Sequence, residues 1–192
     1  IENLSQGKEA IAEQLELNCS AIKKEKNLIT IVDGLAENIE RFIEGLYGIT
    51  GQDSVAIGCG AGGGDFIQKP CLFSNNGMIC DAAMVAGIPT PFSLGLSHGW
   101  QVLGGPYLVT QSNGKILEAL NYAPAFDVYR EHIEKSVGLN FDEHDFYDIA
   151  KTYPLGIENM EGEMLVRAPL LKDEKSLIFV GEVPENSVIY LL

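Results

Sequence analysis

The chain has 192 residues, 27 acidic and 13 basic, and carries a formal net charge of −14 with its histidines neutral. With 46% apolar and 21% charged residues it falls among chains that fold, and its length predicts one domain, or one and part of a second. The negative charge opposes nucleic-acid phosphates and anionic lipid heads, and no run approaches the roughly 18 apolar residues of a membrane helix, so a cytoplasmic protein with neither partner is expected.

Residues 4–17 set Leu4, Ile11 and Leu15 among Glu, Gln and Lys, a loose helical pattern. A β-branched run at 27–33 is followed by an Asp33-Gly34 turn, by a helix over 36–47 with Ile39, Phe42, Ile43 and Leu46 on one face, and by a second run at 54–57. Strand, helix, strand in this order predicts parallel neighbours. Residues 58–64 read as a flexible glycine-rich stretch. A hairpin follows with Asn76-Gly77 as a type I′ pair, then a strand at 92–96 and a second hairpin through Ser112-Asn113-Gly114. Helices are expected from Ala125 to about Val137 and, capped by Asp142 and Glu143, up to Ala150. Short strands around 153–157, 164–168, 176–180 and 188–192 complete an α+β fold with mainly antiparallel sheet. The chain starts at Ile1 and ends in an apolar run, which reads as a fragment whose last strand is an edge without its partner.

Gly58, Gly60 and Gly63 fit G-x-G-x-x-G after a strand, but Pro70 and the Asn-Gly hairpin stand where that motif needs a helix, which argues against dinucleotide binding. The glycines then serve either a loop lining a ligand or a plain tight turn. Cys59 is either an inert thiol or a nucleophile lacking an evident base, and Cys19, Cys59, Cys71 and Cys80 match neither zinc spacing nor a disulfide framework. Ser97-His98-Gly99-Trp100 concentrates the most chemistry. Its imidazole serves hydrogen bonding, metal or haem ligation, or only a turn satisfied by backbone with Trp100 filling core. His132 and His144, set among carboxylates without a second His at i+3 or i+4, read as part of a solvated acidic face.

In order along the chain, Asp33-Gly34-Leu35, Val55-Ala56-Ile57-Gly58 leading to Ala61-Gly62 and Asp65, Ser97-His98-Gly99-Trp100, Gly105-Pro106-Tyr107 with Asn113-Gly114, Pro124-Ala125 with Tyr129, Tyr153-Pro154-Leu155-Gly156, Leu165-Val166-Arg167 and Gly181-Glu182-Val183-Pro184 resemble the FIST family of intracellular sensory modules. The resemblance implies an N-terminal sensory part over 1–126 and the beginning of a C-terminal part over 127–192. It further implies a small-ligand sensor with no catalytic set, working with a signalling protein such as a histidine kinase or a cyclic-dinucleotide enzyme. Amino acids or similar metabolites are the implied ligands, and one branch of the family binds haem and senses nitric oxide. On this reading Gly60, Ala61, Gly62 and Asp65 join His98, Gly99 and Trp100 in the ligand site. Arg167 meets a carboxylate and Asp65 an ammonium, unless Arg167 is a structural ion pair. No metal and no cofactor is expected. The rival readings are a haem sensor using His98, an enzyme using Cys59, and an interaction module without a pocket.

Overall fold

The apolar run after Lys26 forms β1 (Asn27–Asp33), which pairs in parallel over its whole length with β2 (Val55–Ala61). α1 (Lys8–Asn18) precedes β1, and α2 (Ile39–Thr50), between the two strands, makes the predicted crossover. The computed structural model describes residues 1–159 and 162–192 and divides into two units, Ile1–Leu96 and Ser97–Leu192.

In the first unit β3 (Leu72–Ser74) and β4 (Gly77–Ile79) form a separate hairpin, and β5 (Ala83–Ile88) pairs antiparallel with β1, giving a sheet of order β2-β1-β5. Leu28, Val32 and Ala83 of the sheet pack with Phe42 and Leu46 of α2 and with Ile11 and Leu15 of α1, all of them buried. Alternation along the strands thus puts one face of the sheet under the helices. The turn from α2 into β2 is closed by the buried Thr50, whose hydroxyl donates to Leu46 O at 2.9 Å, and by Ser54, whose hydroxyl donates to Gly51 O at 2.7 Å.

Three expectations change here. The helix over 4–17 is a 3-10 turn at Leu4–Gln6 followed by α1, because Gly7 at φ 95° breaks the run. The hairpin turns one residue earlier than expected, with Asn75 and Asn76 central and Gly77, at φ 124°, opening β4; neither Asn has the left-handed conformation a type I′ turn needs. Residues 91–103, including the expected strand at 92–96, form no regular element. A short apolar run becomes a strand only where a neighbour takes up its hydrogen bonds, and among the described residues no strand pairs with this one.

The second unit is built on β6 (Gly104–Asn113), β7 (Ile116–Leu120), β8 (Ala123–Pro124), β9 (Leu155–Glu158), β10 (Met164–Arg167), β11 (Leu171–Asp173), β12 (Ser176–Ile178) and β13 (Val188–Leu191). Their order is β10-β9-β13-β6-β7-β12-β11, with β8 on β7. α3 (Ala125–Ser136) and α4 (Phe146–Ala150) bury Phe126, Tyr129, Ile133 and Ile149 with Val109, Leu117, Leu177 and Ile189 of the sheet. The Tyr129 hydroxyl donates to Tyr153 O at 2.7 Å, and burial pushes its pKa well up, so it stays a donor. Asp145, rather than Asp142 or Glu143, caps α4 by accepting from Tyr147 N at 2.9 Å.

The last strand is not an edge. β13 lies inside the sheet, hydrogen-bonded to β9 on one side and β6 on the other. Its apolar pattern is the mark of a strand covered by neighbours, which sequence periodicity does not separate from an orphaned one. All sheet pairs are antiparallel except β1 with β2, and the class is α+β.

Candidate functional site

The glycine-rich run is mostly strand. Residues 58–61 continue β2, with Gly58 opposite Thr30 and Gly60 opposite Val32. A Cβ at Gly58 would stand 2.3 Å from Thr30 O, and one at Gly60 would stand 3.1 Å from the Cα of Gly34, so close backbone approach explains these two glycines. None of the glycines from 58 to 64 has a positive φ. Gly34 N donates to Ala61 O at 2.8 Å and holds the end of β2, after which Gly62 and Gly64 face open space. Asp65 accepts from Lys69 Nζ at 2.7 Å and from Ile67 N at 3.3 Å, and the Lys69 hydrogen bond holds its pKa below the usual carboxylate range.

Asp33 anchors this loop, a role the local Asp-Gly turn pattern hides. It is 1% exposed. Its Oδ2 accepts from Asp81 N at 2.7 Å and Gln68 Nε2 at 3.0 Å, and its Oδ1 accepts from Leu35 N at 3.1 Å. Burial alone would raise its pKa; these bonds, with one from the Cys71 thiol, outweigh burial and hold it low. Asp81 in turn accepts from Ser5 Oγ at 2.6 Å, so two carboxylates in series, Asp33 and Asp81, link the start of the chain, β1 and the segment after the glycines.

His98, Gly99 and Trp100 belong to the second unit, as does Arg167, and lie in the irregular segment 91–103. Gly99 takes φ 73°, which lets Trp100 N turn back and donate to His98 Nδ1 at 3.0 Å. With Nδ1 an acceptor, the neutral ring carries its proton on Nε2. Ligation of haem iron through Nε2 needs the opposite tautomer, so the ring in this turn does not fit that role until the Trp100 bond is given up. Trp100 is 38% exposed rather than buried. Arg167 ends β10 across from Leu155, on a partly buried site where a Cβ at Gly181 would meet its Nε at 2.9 Å.

His132 is half-buried, and its ring turns to partners outside the exposed acidic face. Its Nε2 donates to Leu103 O at 3.3 Å, and the Tyr107 hydroxyl lies 2.7 Å from its Nδ1. Burial and the Glu131 charge raise the Tyr107 pKa and keep that phenol protonated. A Cβ at Gly104 would stand 2.1 Å from the imidazole. Gly104→Ala is therefore expected to expel the ring and cost about 1–3 kcal/mol in urea unfolding, with a changed His132 imidazole signal in NMR spectra. His144 is exposed in the turn before α4.

One recess of about 320 Å³ lies within the first unit, between α2 and the edge of the sheet. Thr30, Val32, Ala56, Gly58 and Cys59 form its sheet side. Ile39, Ile43, Leu46 and Tyr47 form its helix side. Sequence periodicity puts Ile39, Ile43 and Leu46 on the apolar face of the helix; the recess exists because Ala56 and Gly58 present almost no side chain beneath them. Cys59 is exposed at this edge. Among the described residues no group of three or more His, Cys, Asp or Glu is placed to hold a metal ion, and no helix is long and apolar enough to cross a membrane.

Both parts of the chain match models of one class of sensory domains. The FIST N domain matches residues 1–123 and the FIST C domain residues 125–192. The chain belongs to the FIST family, whose domains serve sensing in signal transduction. No curated protein and no solved structure matches it.

Proposed function

We propose that this chain is a non-catalytic, cytoplasmic sensory module that binds a small ligand, an amino acid or a similar metabolite, without a cofactor, and passes its occupancy to a signalling protein such as a histidine kinase or a cyclic-dinucleotide enzyme. The observation that carries this reading is the match of both parts of the chain to FIST sensory domains. The candidate ligand residues are Gly60, Ala61, Gly62 and Asp65 in the first unit and His98, Gly99, Trp100 and Arg167 in the second. Arg167 is the candidate partner of a ligand carboxylate, which a guanidinium meets with two parallel hydrogen bonds. Asp65, in the first unit, already holds one ammonium, that of Lys69. Thermal unfolding in the presence of single amino acids tests the reading. One or more should raise Tm in proportion to the logarithm of concentration, and Arg167→Ala should abolish the rise. No rise with any of them at millimolar concentration would overturn it.

A further inference from the structure

We propose that the recess under α2 in the first unit is a binding site for a small neutral, apolar molecule, separate from the charged-ligand recognition assigned to Arg167. Its volume of about 320 Å³ is in the range of ligand pockets and roughly twice the ~150 Å³ of a cavity that accepts benzene. That size suits a fused bicyclic ring or a branched aliphatic group.

Charge decides the class. No Asp, Glu, Lys, Arg or His lines the recess. A zwitterion seated among these apolar side chains would give up hydration with no ionic partner in the lining to replace it. An uncharged ring loses little and gains contact with Val32, Ile39, Ile43 and Leu46. The polar groups of the lining are few: the Thr30 hydroxyl, which already donates to Met84 O at 3.2 Å, the Tyr47 phenol and the Cys59 thiol. Such a lining tolerates one polar substituent on an otherwise apolar ligand.

The sheet side cannot close the gap from within. A side chain at Gly58 would run into the Thr30 backbone instead of filling the space. Ile43, at the mouth, is 41% exposed, so the recess opens to solvent and a ligand needs no unfolding to enter.

Indole and tryptophan make the discriminating pair of probes, because they share one ring and differ by the two charges of the amino acid. In methyl NMR spectra of the whole chain with labelled isoleucines, indole should shift Ile39 and Ile43 saturably and leave Ile133 and Ile189 of the second unit unmoved. Indole should also slow alkylation of Cys59 by iodoacetamide, and tryptophan should do neither. Ile43→Trp, placed at an exposed position, should weaken indole binding by about tenfold or more. Ile39 and Ile43 signals that stay still up to the solubility limit of indole would overturn the proposal. So would equal shifts in both units, or equal effects of indole and tryptophan. The amino-acid response lost in Arg167→Ala is read separately, so either site can fail while the other stands.

Discussion

Asp33→Ala is expected to lower the stability of the first unit by about 3 kcal/mol near neutral pH, because it removes a buried ionic acceptor and strands its donors. Asp81 N and Gln68 Nε2 both lose the Oδ2 they share, and Leu35 N loses Oδ1. Asp33→Asn should cost less, about 1 kcal/mol, since a carboxamide oxygen turned toward Asp81 and Gln68 keeps two of the bonds, while its NH₂ opposes Leu35 N. The two variants also separate in acid. The folded-state pKa of Asp33 lies below its ordinary value, so the folded chain binds this proton less tightly than the unfolded chain does. The contribution is complete above the unfolded value of about 3.9 and declines as pH falls toward the lower, folded value. Urea unfolding of wild type should therefore lose stability in that acid window more steeply than Asp33→Asn. Equal slopes for the two proteins would show that Asp33 contributes no pH-dependent stability.

Gly58→Ala is expected to cost about 3 kcal/mol, a large effect for one methyl group. The added carbon would stand 2.3 Å from Thr30 O and 2.6 Å from Thr30 Cγ2. The first contact is with backbone in the central strand of the sheet, so no rotamer change relieves it, and β1 and β2 must separate. Thr30→Ala combined with Gly58→Ala should therefore restore little, since it removes Cγ2 and leaves the carbonyl in place. The same run holds its own controls. Gly62→Ala and Gly64→Ala meet nothing within 4 Å and have no positive φ, so each should stay within about 0.5 kcal/mol of wild type in urea unfolding. A Gly58→Ala protein as stable as Gly62→Ala would refute the close packing of β1 on β2.

The β1-α2-β2 unit was open to reading because its signals are local: β-branched residues at 27–33, an amphipathic stretch spanning Ile39 to Leu46, and a second apolar run. The turn residues marked where two hairpins lie, each displaced by one residue from the turn that forms, and the ordered motifs pointed to the family that the chain matches. What stayed hidden depends on partners distant in sequence. The glycines of β2 look like a loop until Thr30 is seen against Gly58. Asp33 looks like a turn residue until Gln68 and Asp81, 35 and 48 positions away, are found donating to it. The Tyr107 contact of His132 spans 25 positions, and the carboxylates beside that histidine in sequence are the misleading neighbours. The recess under α2 arises from what Ala56 and Gly58 lack, which no pattern of apolar residues records.

The interior place of β13 sets an order of events in folding. β6 and β9 each leave one ladder side to a strand that is synthesised after the other strands described in this sheet, and those strands join into one sheet only when residues 188–191 arrive. At about 5–20 residues per second on the ribosome, β6 waits for seconds with its hydrogen-bonding edge exposed, and such long-range pairing is slow to close. The first unit has every strand of its sheet by Ile88 and is free to fold in that interval. A nascent chain halted before residue 188 would thus carry a finished first unit attached to two open strand edges, the species in which chaperone binding or misassembly should concentrate.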